Sequence, residues 1–308
     1  MDRIQLLNLN SKEYEHLFDK TALSALQATP GLGTLIKKVN QYGLDKMLRI
    51  HYTGSYLKLN SRTFPAIDNI IKEACYILGI TEIPDLYFQP RAAINAFTTC
   101  VEKPMIIITD GCINLLSEEE LLFVLGHELG HIKSEHLIYQ QLASVVPILA
   151  DIIGTATLGI GKLLSGGLEI ALLRWQRMSE FTADRAGLLV CQDVDIATKY
   201  FIKVAGAPKK YFESISVEDF MEQTKEFEGY DFGTLDKLAK LMCSAFQSEP
   251  WVVMRAAELY KWVNTGDFEK ILNRELLSGK NHELSFCPYC GFNLQGNEIN
   301  CGGCNKKI

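Results

Sequence analysis

His127-Glu128-Leu129-Gly130-His131 is the stretch on which the reading of this chain turns. Side chains four apart on an α-helix lie on one face, one turn above each other, so two neutral imidazoles at this spacing can share one Zn²⁺. The helical context stands just upstream. Ser117-Glu118-Glu119-Glu120 is a capping box, and the helix it starts is expected to run to about His136. Glu128 follows the first imidazole and flanks the metal without having to ligate it. From there it can take a proton from a zinc-activated water and pass it to a leaving amine. The bare pattern recurs by chance on the order of once per hundred chains of this length, so its surroundings have to carry the reading.

A catalytic zinc usually has three protein ligands and one open position, so a third donor is expected downstream. Glu180-Phe181-Thr182-Ala183-Asp184 lies in a helix pattern running from Arg174 to Cys191, with both carboxylates on one face. Glu180 can ligate while Asp184 reaches an imidazole N–H and fixes its tautomer. On spacing alone, the pair reads equally well as a solvated acidic face. His16, His51, His136 and His282 read as surface or core residues, His136 being five positions past His131 and off the metal face.

Working outward, residues 1 to about 46 read as helical, broken at Pro30-Gly31-Leu32-Gly33. Lys46 to Asn60 reads as two short strands around Thr53-Gly54-Ser55. Phe64 to Gly79 is a helix pattern with Gly79 as its C-cap. Strands are expected at Asp85 to Gln89, Ala93 to Cys100 and Met105 to Thr109, with Asp110-Gly111 as a turn. Residues 137–173 are unusually apolar. Asp151, Lys162 and Glu169 interrupt them, and a spanning helix needs about 20 predominantly apolar residues. A packed helical hairpin is the expectation there, with peripheral membrane contact as the alternative. Residues 195 to 275 read as mostly helical.

The chain has 308 residues, 47% of them hydrophobic, enough for one large domain and a small appendage. Its net charge of -6 argues against a broad nucleic-acid surface, which needs clustered cations. The start lacks the pattern of a secretory signal, and five of the nine cysteines are scattered, as in a reduced, cytoplasmic protein.

Asn95-Ala96-Phe97 on a strand, the helix with His127 to His131, and Glu180 to Asp184 on a later helix together resemble the HtpX-like and CAAX-prenyl-protease-like gluzincin metallopeptidases, over about Phe64 to Trp262. The resemblance implies that Glu180 is the third zinc ligand and that Asp184 supports the site. It also implies that the strand with Asn95, Ala96 and Phe97 pairs with extended substrate, although Asn95 could equally end a strand and Phe97 be core. The family commonly carries a His-Pro pair followed by an Arg. Here Ser248-Glu249-Pro250 leads to Arg255, so Glu249 stands where the His would be, as a site wall or a latch that keeps the enzyme latent. Arg255 falls where the family has its Arg, and reads either as an anchor of the active-site wall or as a surface Arg on a helix.

Cys287-Pro288-Tyr289-Cys290 and Cys301-Gly302-Gly303-Cys304 are two knuckles ten residues apart. They resemble a zinc ribbon, whose closed Cys₄ site is structural and whose role is docking a protein partner or substrate. The expectation is therefore an α+β zincin, mostly helical with a small mixed sheet. Residues 1–60 form a helical and hairpin extension, 61–276 the metallopeptidase domain, 277–285 a linker and 286–308 the ribbon. One catalytic and one structural zinc are expected, acting on protein or peptide substrates. The alternative is a latent or chaperone-like binding module.

Overall fold

A computed structural model describes residues 3–41, 43–144, 168–229 and 250–273. In chain order the elements are α1 (Leu17–Gln27), α2 (Leu32–Gln41), α3 (Leu44–Ser55), β1 (Leu57–Leu59), α4 (Pro65–Leu78), β2 (Asp85–Gln89), β3 (Ala96–Thr99), β4 (Met105–Thr109), α5 (Asp110–Leu115) and α6 (Glu118–Lys133). They continue with α7 (Glu169–Cys191), α8 (Val194–Val204), α9 (Val217–Gly229), α10 (Val252–Asn264) and α11 (Asp267–Leu272). Residues 137–144 are helical as well.

The sheet has the order β1-β2-β4-β3, with β2 and β4 parallel and both outer pairs antiparallel. Successive strand side chains face opposite ways. Leu86, Ile106 and Ile108 therefore enter the main core with Ile70, Ile71 and Ala74 of α4 and Leu121, Leu122 and Leu125 of α6. Tyr87, Met105 and Ile107 face the other way, with Leu48 and Tyr52 of α3 and Phe97 of β3 packed on them. β3 is an edge strand, with no further strand beside it among the described residues.

α6 begins as its sequence dictates. Ser117 Oγ accepts from Glu120 N–H, and Glu120 Oε2 accepts from Ser117 N–H. α7 then packs along α6 at unusually close range. A Cβ on Gly126 would stand 2.6 Å from Val190 Cβ, and one on Gly130 would stand 2.5 Å from Ala186 Cβ. Glycine on α6 lets the backbones close, against Val190 at Gly126 and against the small Ala186 at Gly130.

Several expectations need correction. Lys46 to Asn60 is not a hairpin: 44–55 is α3, and only Leu57–Leu59 is a strand. Thr, Tyr and Ile suggested strands, but Leu44, Leu48 and Tyr52 recur every four residues and lay one helix face toward the sheet and the cleft beside it. Asp110-Gly111 is not a turn but the first turn of α5, where Gly111 lets the helix approach the Ala93 backbone; a Cβ would lie 2.3 Å from its carbonyl carbon. β3 is shorter than Ala93 to Cys100, so Asn95 precedes it. α6 stops at Lys133, because Glu135 turns into left-handed backbone at φ 59° and aims the chain back past His131. The linker, the ribbon, Glu249 and residues 145–167 of the apolar segment lie outside the described residues.

Candidate metal centre

His127, Glu128 and His131 lie on the buried face of α6, and Glu180 meets them from α7. His127 Nε2 and His131 Nε2 are 3.2 Å apart. Glu180 Oε2 is 3.3 Å from His127 Nε2, and its Oε1 is 3.4 Å from His131 Nε2. Zinc bonds of about 2.0–2.1 Å at tetrahedral angles put neighbouring ligand atoms about 3.3–3.4 Å apart. The Nε2–Nε2 separation and the approach of one Glu180 oxygen to each ring match that spacing, with a different oxygen facing each ring. The donor set and its spacing fit zinc, and this is the one such group of His, Cys, Asp or Glu among the described residues.

The orientation of each ring is enforced from behind. His127 Nδ1 lies 3.0 Å from Asp184 Oδ1, so its N–H donates there and the Nε2 lone pair faces the metal position. Asp184 is itself gripped by Arg255, whose Nε donates to Oδ2 at 2.8 Å and Nη2 to Oδ1 at 2.6 Å. Arg255 Nη1 also stands 3.6 Å from Glu180 Oε2. Behind His131, Nδ1 is 3.0 Å from His136 Nδ1. His136 is not remote from the metal: the left-handed turn at Glu135 brings it, fully enclosed, onto the back of His131.

Electrostatics favours a cation between the donors. Burial opposes charge on His127, but the Asp184 and Glu180 carboxylates outweigh it and push the ring up to about 10. Burial would likewise raise Glu180, yet His127 and His131 hold it well below the usual carboxylate range. Asp184 is held down mainly by Arg255 against its burial. His136 is lowered by burial, with Asp19 pulling the other way, so its ring is neutral.

Glu128 is 4% exposed and does not join the three donors. Thr98 of β3 donates its hydroxyl to Glu128 Oε2 at 2.6 Å. No motif in the sequence singles out Thr98, although strand alternation puts it on the face opposite Phe97. The donors open into a cleft of about 560 Å³ whose walls include Asn95, Ala96, Phe97, Tyr52, Tyr200 and Gln141. Asn95 N–H donates to Thr109 Oγ1 and its carbonyl accepts from Thr109 N–H and Cys112 Sγ, so its backbone is already engaged. Phe97 packs on Tyr52, with ring centroids 5.7 Å apart. A second cavity, about 590 Å³ at the C-terminal end of α6, brings no comparable donor set together. The described cysteines are buried, and burial pushes the Cys75 and Cys191 thiols up to about 12, which leaves no reactive thiolate as a rival nucleophile there.

The sequence model of peptidase family M48 matches residues 61–263. The chain belongs to peptidase family M48. Zinc is the metal of M48 metallopeptidases, and the His127, His131, Glu180 site for it is present here. The chain is 29% identical over 269 residues to the plastoglobule-localized metallopeptidase 48 of Arabidopsis thaliana, covering 87% of this chain and 77% of that protein. It is 34% identical over 158 residues to an HtpX protease homologue of Methanothermobacter thermautotrophicus, covering 47% of this chain and 58% of the relative. An HtpX homologue of Persephonella marina is 27% identical over 151 residues, 42% of this chain and 52% of the relative. The chain thus spans little more than half the length of these two HtpX homologues. No solved structure matches. Among the described residues, no helix of this M48 chain is long and apolar enough to cross a membrane.

Proposed function

We propose that this M48 chain is a zinc-dependent endopeptidase that hydrolyses peptide bonds of protein substrates, with Glu128 as general base and then general acid. The observation that carries the reading is the placement of Glu128. It is one residue from His127 on the same helix, outside the trio of donors and held by Thr98 beside the cleft. His127, His131 and Glu180 would hold the zinc, which when bound supplies a Lewis acid that polarises the scissile carbonyl and acidifies water. Glu128 accepts the attacking water's proton and returns it to the leaving amine nitrogen. Because Oε2 accepts from Thr98, Oε1 is the oxygen left for that transfer. The outer edge of β3 over Ala96–Thr99 offers main-chain groups to an extended substrate, which would add a strand to the sheet. Protein quality control is the setting that the HtpX resemblance implies.

Casein digestion tests the proposal. The parent degrades casein, and Glu128→Gln, which keeps side-chain shape and zinc, loses about 10²–10⁴-fold in rate. A Glu128→Gln protein as active as the parent rejects the reading.

A further inference from the structure

A buried polar chain reaches the metal pocket from outside the family-matched region. It starts at Asp19 in α1, ahead of residues 61–263, and Asp19 is 0% exposed. Trp175 Nε1 donates to Asp19 Oδ1 at 2.9 Å. Thr182 Oγ1 stands 2.6 Å from Asp19 Oδ2 and accepts His16 N–H at 3.0 Å, so its hydroxyl proton goes to the carboxylate. The remaining contact of Oδ2 is His136 Nε2 at 3.1 Å, and from there His136 Nδ1 touches His131 Nδ1 at 3.0 Å.

With a single proton on the His136 ring, the polarity of this chain has one consistent solution. An ionised carboxylate only accepts, so His136 carries its proton on Nε2 and gives it to Asp19. Its Nδ1 then has a lone pair, which accepts from His131 Nδ1–H. That leaves the His131 Nε2 lone pair facing His127 Nε2 and Glu180. In the reverse tautomer of His136, two N–H groups would confront each other at 3.0 Å while a lone pair faced the carboxylate. Gln140 Nε2 lies at the same distance from His131 Nδ1 but is a donor, and it can serve that proton only with its amide turned over.

We propose that Asp19 is a positioning residue for the metal centre: through His136 it fixes the His131 tautomer that presents Nε2 to zinc. The inference rests on the zinc reading of the His127, His131, Glu180 site. Asp19 does more than fasten α1 to α7, because Trp175 and Thr182 already do so, and His136 belongs to neither helix.

The test is zinc affinity by competition with a chromophoric chelator, applied to the site whose occupancy disappears in Glu180→Ala. Asp19→Asn keeps an acceptor for Trp175 but turns an amide N–H toward His136 Nε2, which inverts the relay. Its zinc affinity is expected to fall about 10- to 100-fold. His136→Gln can turn its own amide to accept from His131, so adding Asp19→Asn to it costs less than about 3-fold more. A purely structural Asp19 would instead lower the thermal midpoint of the zinc-free protein and leave zinc affinity at the parent value in both backgrounds, which overturns the proposal. If Asp19→Asn does not fold, His136→Gln against His136→Met decides: the relay predicts 10- to 100-fold weaker binding for Met alone, and equal affinities overturn it. A parent that loses no zinc on Glu180→Ala defeats the zinc reading itself. A parent that does lose it, beside a parent-like Asp19→Asn, defeats only the relay.

Discussion

Arg255 holds Asp184 by two parallel N–H···O contacts, and Asp184 Oδ1 is at once the acceptor for His127 Nδ1. One carboxylate therefore ties α10 and α6 to α7 and aims a metal ligand. Both charges are buried, Asp184 at 1% and Arg255 at 4% exposure.

Removing one member of a buried pair leaves an uncompensated charge. Arg255→Met is expected to destabilise the protein by about 3–5 kcal/mol in urea denaturation. Arg255→Lys keeps the charge but loses the planar fork, and should fall between Met and the parent. A Met variant as stable as the parent would show that Asp184 finds another partner.

Thr98→Val keeps the shape of the side chain and removes the hydroxyl that Glu128 Oε2 accepts from. A hydrogen bond to a charged group contributes about 1.5–3 kcal/mol, so kcat on a peptide substrate should fall at least 10-fold. Zinc content should be unchanged, because Thr98 touches none of the three donors. Loss of zinc together with activity would mean that β3 supports the metal site itself.

Gly130→Ala places a Cβ against Ala186 where no room exists. Overpacking typically costs about 1–3 kcal/mol and here also pushes α7 away from α6, weakening zinc binding along with stability. Ala186→Gly on the facing helix should restore part of both. Thermal midpoints of the single and double variants decide it, and additive losses would count against helix contact as the cause.

Acid stability carries a separate signature. Burial opposes charge on Glu258, but His16 and Lys261 outweigh it and hold the carboxyl at about 2, below its ordinary value of 4.5. A depressed carboxyl stabilises the fold above its unfolded value, and that contribution disappears as pH falls from about 4.5 toward about 2. Glu258→Gln should therefore be less stable than the parent near pH 6 and lose less stability between pH 5 and pH 3. Parallel urea-midpoint curves for the two proteins would contradict this.

The metal site was legible because its chemistry is local. Two imidazoles one turn apart and a capping box 10 residues upstream need only helix geometry, and Glu180 and Asp184 need it again on a second helix. The family resemblance joined the two. What was not legible depends on approach in three dimensions. His136 looked misplaced because the left-handed turn at Glu135 cannot be read from residue spacing. Thr98 and Asp19 reach the site only once β3 lies over α6 and α1 lies on α7. Gly130 sits inside the His127–His131 stretch, yet its packing against Ala186 depends on where the partner helix lies. The α3 sequence reads as strands because short aromatic and β-branched runs suit both periods until the sheet face they cover is known.

The most direct test of the central claim is zinc per chain, measured by elemental analysis on the parent, Glu128→Gln and Glu180→Ala, each confirmed folded. The difference is independent of any zinc held by the four C-terminal cysteines. Glu128→Gln should match the parent, and Glu180→Ala should carry one zinc fewer. Equal zinc in the parent and Glu180→Ala would contradict a metal held between His127, His131 and Glu180.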